Sequence, residues 1–264
     1  MQIMFPVNNY KYYDTHYRYV LNLLKYDPNN TITYYDCDSF IVVIDGEKVL
    51  FDIADDTTAF HYNPDAFKVV FKFHYSFGTR SKRIKPFPPI SFYDWNSYYH
   101  MDWRFKYKPE NSIVISNRQV PYGNATERRR LVANTLDKCF GTLAVHRTLE
   151  QNLFFADIEA IRLSVCVPGF CNNMVDRGQL QYMGLGVATI SPFLPEVFPF
   201  WETMLTSKEY IMCGNDYNDL IVLITQTPDS ILKSIGDRAK EFFQKHCSPS
   251  AVNTWIKGCL DGTY

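Results

Sequence analysis

IRLSVCVPGFCNNMVDRGQLQYMGLGVATI, residues Ile161 to Ile190, is the stretch on which the fold of this chain turns. Leu163–Val167 and Val187–Ile190 are short apolar runs with the length and β-branched content of buried parallel strands. Between them, Pro168–Asn173 reads as a loop carrying Gly169, Asn172 and Asn173, and a helix is predicted over Val175–Leu185. Asp176 and Arg177 fall in its first turns, and Gly184 and Gly186 punctuate its end. Strand, loop, helix and strand make a βαβ unit, whose ligand crevice is expected at the carboxyl ends of the strands. The N–H groups of a helix N-terminus with an Arg on the same turn outline an anion site. A purely structural βαβ unit carries the same pattern, so the pattern leaves both readings open.

Working outward, the 264 residues suffice for one large domain or two small ones. A hydrophobic share of 46% and a charged share of 21% are those of an ordinary globular protein. The 19 Tyr and 20 Phe are an excess that suits sugar stacking and core filling alike. A formal net charge of −1 argues against duplex DNA or RNA as the main partner, which needs clustered excess Lys and Arg. The basic runs, Arg80 to Lys85 and Arg128 to Arg130, read as solvated faces. Seven Cys, at 37, 139, 166, 171, 213, 247 and 259, lack CxxC pairs or His at metal spacing and read as reduced thiols of a cytosol-like compartment. Met1–Asn30 shows no basic segment followed by a long apolar run, and no window approaches ~18 apolar residues. The expectation is a cytoplasmic protein with no signal peptide and no transmembrane segment.

Along the chain, a helical pattern around Tyr17–Leu24 ends at Asp27–Pro28–Asn29. Ser39–Ile44 and Lys48–Ile53 read as strands of a hairpin joined by Asp45–Gly46–Glu47, and the second delivers Asp52, Asp55 and Asp56 into the following loop. Phe67–Tyr75 reads as a buried strand bearing Lys72 and His74, followed by Arg80; the prolyl stretch 86–90 reads as irregular. A strand at Ser112–Ser116 ends at Asn117 and Arg118, and a helix over Thr126–Phe140 opens on a capping pattern. Glu209–Ile224 reads as a short strand, an Asp-bearing loop and a helix. Helices over Ile231–His246 and Ser248–Leu260 close the chain.

Arg177 on the helix, Gln181 a turn later and the closing run YMGLGVATI resemble the nucleotide-sugar half of GT-B glycosyltransferases, in particular the exostosin-like and CAP10-like families. The resemblance covers Ser112–Leu260 well and the first 110 residues weakly. It implies an α/β protein of two Rossmann-like domains facing a cleft: 1–108 on the acceptor side, 109–245 binding the nucleotide sugar, and 246–264 as a C-terminal helix crossing back to the first domain. It further implies that Arg177 contacts the donor diphosphate, and that Gln181 stands where the family has a Glu on the ribose hydroxyls. Arg118, Gly169, Asn172, Asn173 and Asp176 would complete the donor site. Lys72 and Arg80 become acceptor or phosphate candidates, and Asp55, Asp56 or His74 the catalytic base. The implied reaction is an inverting, metal-independent transfer from a UDP- or GDP-linked sugar to a glycan acceptor. The small first domain resembles compact enzymes of bacteria, phages and large DNA viruses of algae.

Two other readings stand beside it. Asp36–Cys37–Asp38 is a DxD string of the kind that holds a divalent metal against a diphosphate in GT-A enzymes. A non-catalytic sugar- or nucleotide-binding module would keep the fold without the chemistry, and Gln181, which lacks the charge of Glu, suits it.

Overall fold

The computed structural model describes residues 1–7, 11–36, 41–53, 62–75, 81–89, 113–116, 123–146, 161–169, 174–200 and 203–264. They form an α/β protein of two compact units. One comprises Met1–Trp95, Glu196–Thr203 and Lys245–Tyr264, and the other Asn96–Pro195 and Met204–Gln244. Among the described residues no helix is long and apolar enough to cross a membrane.

The first unit is built on strands β1 (Gln2–Val7), β2 (Thr31–Asp36), β3 (Ile41–Ile44), β4 (Glu47–Asp52), β5 (Val69–Lys72) and β6 (Ile84–Pro86), with helix α1 (Lys11–Tyr26) after β1. Its sheet has the order β2-β1-β3-β4-β5-β6. β1 and β2 are parallel, as are β4, β5 and β6, whereas β3 runs antiparallel to both β1 and β4. The sheet is therefore mixed, and its antiparallel β3–β4 pair is the hairpin expected from the sequence. The cause is local: Asp45 and Gly46, at φ 49° and 84°, make a two-residue turn, and a parallel pair cannot be joined by so short a connection.

Strands β1, β2 and β6 escaped the sequence reading, and the strand expected over Phe67–Tyr75 is only four residues long. In the core of this unit Phe51 and Phe71 face each other across the register of β4 and β5, with rings stacked 5.3 Å apart, and Phe87 stacks on Phe73 at 5.1 Å. The C-terminal helix Pro249–Leu260 starts at the Ser248 cap and packs against this core. Trp255 Nε1 donates to Pro86 O at 2.9 Å, and Asn253 Nδ2 donates to Leu23 O at 2.8 Å.

The second unit contains β7 (Ile113–Ser116), α2 (Thr126–Phe140), β8 (Ala144–Val145), β9 (Ile161–Val165), α3 (Arg177–Gly184), β10 (Ala188–Ser191), β11 (Ile211–Met212), α4 (Leu220–Gln226) and α5, which begins at Asp229. Its five strands are all parallel, in the order β8-β7-β9-β10-β11. Counted along the chain this is 2-1-3-4-5, an order with a topological switch point between its first and third strands, here β7 and β9. Apolar side chains of α2 (Val132, Leu136), β9 (Leu163, Val165) and α4 (Leu220, Ile224) share one buried cluster. Helix α2 spans the residues expected, but its capping pattern is not used: a 3-10 turn, Gly123–Ala125, leads into it, and Ala125 makes no side-chain cap.

Helix α3 is shorter than the Val175–Leu185 expected, because Asp176 is its N-cap. It ends in a Schellman motif, with Gly186 N bonded to Met183 O and Val187 N to Tyr182 O, both at 3.0 Å, and Gly186 at φ 77°. Helix α5 crosses this turn at a glycine. A Cβ at Gly236 would lie 2.0 Å from Gly186 O. In an open helix Gly→Ala gains about 1 kcal/mol; here the clash is with backbone, which cannot swing aside. Gly236→Ala should therefore destabilise the protein by about 3 kcal/mol or more, read as a lower urea midpoint. A midpoint raised or unchanged would refute the close crossing.

Candidate functional site

The switch point of the second unit lies between the neighbouring parallel strands β7 and β9, whose carboxyl ends share one edge of the sheet. The polar groups there are held mainly by α2. Arg129, 3% exposed, donates through one terminal nitrogen to Asp176 Oδ2 at 2.8 Å and to Val167 O at 3.2 Å. Asp176 uses its other oxygen to accept from Gly178 N at 2.8 Å, capping α3. Arg128, half-buried one residue earlier, reaches Gly169 O at 3.4 Å. The start of α2 is thus tied to the loop leaving β9 and to the start of α3.

Two sequence expectations fall on these residues. Asp176 was expected in the donor site, and its carboxylate is engaged by Arg129 and by the helix cap. The run Arg128 to Arg130 was read as a solvated face, which holds for Arg130 alone: its side chain is 62% exposed and pairs with Glu127 three residues away. Arg177 occupies the first position of α3 and Gln181 lies a turn later, both half-buried. Gly169 is half-buried beneath Arg128. Arg118, Asn172 and Asn173 lie outside the described residues.

Two buried thiols stand at the same edge. Cys166 follows β9 and Cys213 follows β11; burial, followed by the nearby Asp176 charge, pushes the Cys166 thiol up, and burial with Asp219 pushes Cys213 up to about 12. Cys166 also sits 3.6 Å from Ser164 Oγ. These thiols stay protonated at neutral pH and add no charge of their own beside the arginines and Asp176.

The first unit carries its own polar cluster at the ends of β4 and β5. Asp52 and Lys72 are register partners; Lys72 is fully buried, and its Nζ lies 2.7 Å from Asp52 Oδ2. The same oxygen accepts from Tyr62 Oη at 2.6 Å, and burial, with the bond and charge of Asp52, pushes that phenol up. Beyond Lys72 the chain turns through His74 at φ 51°, placing Nδ1 3.4 Å from Oε1 of Glu196, itself 1% exposed. Of the residues expected here, Lys72 is closed off from solvent and paired, and His74 is buried against an acid. Asp55, Asp56 and Arg80 lie outside the described residues. Asp36 ends the edge strand β2, and the rest of the DxD string, Cys37 and Asp38, lies outside them too. No group of three His, Cys, Asp or Glu among the described residues is arranged to hold a metal.

Arg129, Tyr62 and Glu196 are the polar residues sequence reasoning missed. Only Arg129 left a signal, in the first turn of a helix leading out of the expected switch point, where an inward Arg has a strand-end loop to bind. Asp176→Ala removes a cap worth about 1 kcal/mol and leaves a buried guanidinium uncompensated, which costs about 3 kcal/mol more. Urea unfolding should show a loss of about 4 kcal/mol, largely recovered by adding Arg129→Met. A loss below about 1 kcal/mol would show that the pair does not hold the site.

No family model and no curated protein sequence matches the chain. Among solved structures it is similar to the crystal structure of TarM, a glycosyltransferase, with a TM-score of 0.48 and 12% sequence identity. The likeness covers 78% of this chain and 47% of TarM, so the chain spans about half the length of that protein.

Proposed function

We propose that this chain is a glycosyltransferase that takes a nucleotide sugar at the switch point of its second unit. The observation that carries the reading is the all-parallel 2-1-3-4-5 sheet whose switch-point loop is gripped by Arg128 at Gly169 and followed directly by Arg177 at the head of α3. Such a sheet receives ligands where its strand order reverses, and guanidinium groups there suit a diphosphate. Gln181, one turn along α3, is the group for the ribose hydroxyls, accepting through its amide oxygen. The donor is a UDP- or GDP-linked sugar and the acceptor a glycan.

The transfer is proposed to be inverting and independent of metal. Arginines supply the positive charge that a divalent ion would otherwise give the leaving diphosphate. An inverting transfer needs a base on the acceptor hydroxyl. Asp55 and Asp56 follow β4 in sequence and remain the candidates for it; His74 is the third, and its burial against Glu196 makes it the least accessible.

Binding and turnover test separate parts of this reading. Thermal shift against a panel of nucleotide sugars should find a stabilising donor, since a ligand that binds only the folded form raises Tm. Arg128→Ala and Arg177→Ala should each weaken nucleoside diphosphate binding about tenfold, the worth of one charge-assisted bond, with Tm little changed. Unaltered affinity in both variants would move the diphosphate elsewhere.

For the chemistry, Asp55→Asn or Asp56→Asn should lower turnover by a factor on the order of 100 at unchanged donor affinity. Turnover should survive exhaustive chelation. An obligatory divalent ion, together with inactive Asp36→Ala and Asp38→Ala variants, would favour the GT-A reading. Donor binding with no transfer or donor hydrolysis under any condition would leave a binding module.

A further inference from the structure

The carboxyl edge of the second unit's sheet holds buried hydroxyls that no described residue bonds. Ser191 Oγ, at the end of β10, and Tyr217 Oη, in the loop between β11 and α4, both lack a hydrogen-bond partner among the described residues. Ser191 is fully buried and Tyr217 is 5% exposed. Native proteins satisfy nearly all such groups, and the exceptions mark strain, catalysis or a bound group.

Tyr217 carries a second, independent sign. Its φ is +59°, a left-handed conformation that costs energy for a bulky side chain. The loop is built to enforce it. Both Asp219 oxygens accept from Gly214 N, at 3.1 and 3.0 Å, and Tyr217 N donates back to Gly214 O at 3.1 Å. Asp216 fixes the following residue, accepting from Asn218 N at 3.2 Å and from its amide at 2.6 Å. Local strain that the surroundings over-determine is characteristic of ligand-contacting positions.

The enforced conformation turns the ring into the buried cluster that contains Val167 and Cys213, beside the exit of β9. The charged and titratable groups acting on its hydroxyl are the Cys213 and Cys166 thiols and the guanidinium groups of Arg128 and Arg129. Arg129 is matched by Asp176, whereas the one hydrogen bond of Arg128 to a described residue is to a neutral carbonyl. A neutral donor next to a cation without a matching acid suits an anionic oxygen.

We propose that Tyr217 is a ligand-recognition residue of the switch-point site, its phenolic O–H donating to a phosphate oxygen of the nucleoside diphosphate that Arg128 neutralises. The inference rests on the donor reading above and extends it to a loop outside the βαβ unit. Burial first, then the Cys213 thiol, pushes this phenol up, so it remains a donor across the pH range in which the enzyme is assayed.

Tyr217→Phe deletes one oxygen and keeps the ring. UDP, GDP and inorganic pyrophosphate are titrated into wild type and variant, and Tm is measured for each protein without ligand. The expected result is a ligand-free Tm equal to or above that of wild type, because an unpartnered hydroxyl leaves a buried site. The Kd for the nucleoside diphosphate that binds, and for pyrophosphate, should rise about five- to twentyfold. Equal affinities in the two proteins overturn the role of Tyr217 and leave the donor reading standing. A loss for the nucleotide without a loss for pyrophosphate overturns the phosphate contact. A lower ligand-free Tm shows a hydroxyl bonded within the fold and overturns the proposal as well. Failure of wild type to bind either nucleoside diphosphate overturns the donor reading and the Tyr217 contact together.

Discussion

One carboxylate, that of Asp176, holds the second unit's site in shape. Its two oxygens have different duties: Oδ2 meets the guanidinium of Arg129 and Oδ1 caps α3. Burying such a pair costs several kcal/mol per ion in lost hydration, so the contact is tolerable only when the remaining donors and acceptors are also met. Part of that need is met where Val167 O accepts from the terminal nitrogen of Arg129 that bonds Asp176, and where Gly178 N donates to the other oxygen of Asp176. The exit of β9, the first turn of α2 and the start of α3 are thereby fixed to one another. The placement of Arg177 and Gln181 follows, since both are counted from the cap.

The first unit solves a related problem with a different outcome. Asp52 at the end of β4 also accepts from two donors, Lys72 and Tyr62, and again the carboxylate stands at a strand terminus. There the cation is wholly enclosed, and the phenol is kept protonated by burial and by the acid it bonds. Nothing in that arrangement leaves a positive charge for a ligand. In the second unit, Arg128 sits beside the buried pair, on a backbone carbonyl and half in solvent. On the proposed reading, that cation is the one offered to a diphosphate.

Much of the second unit was legible in the sequence because its signals are local. The apolar runs around residues 163 and 188, the glycines after α3 and the periodicity of Thr126–Phe140 need no distant partner to be recognised. The first unit was less legible. β1 reads QIMFPV, with a Pro inside it, and β2 reads TITYYD at the sheet edge with mostly exposed side chains, so neither shows the buried run or clean alternation that marks a strand. β6 hides within a prolyl segment for the same reason. Of the candidate site, the place of Arg177 at the head of a helix was legible from the sequence. Arg128, Arg129 and Arg130 are indistinguishable as letters; what buries the middle one is an acid 47 residues away. The left-handed conformation of Tyr217 depends on Asp216 and Asp219 folding back on their own loop, a geometry that the letters GNDYND allow but do not require.

Burial, joined by the same ion pair, decides the chemistry of the nearest thiol. A Cys beside an Arg is often a reactive thiolate, and Cys166 lies within reach of Arg129. Yet its thiol is pushed up, because burial is the largest influence and Asp176 outweighs Arg129, with Ser164 opposing as well. The pull of the guanidinium toward a thiolate is outweighed by the carboxylate that holds it in place. A thiolate here would have set a negative charge at the β9 exit, where an incoming phosphate would meet it. By keeping Cys166 and Cys213 neutral, burial adds no thiolate beside Arg128, which is what the proposed anion site requires of this edge of the sheet.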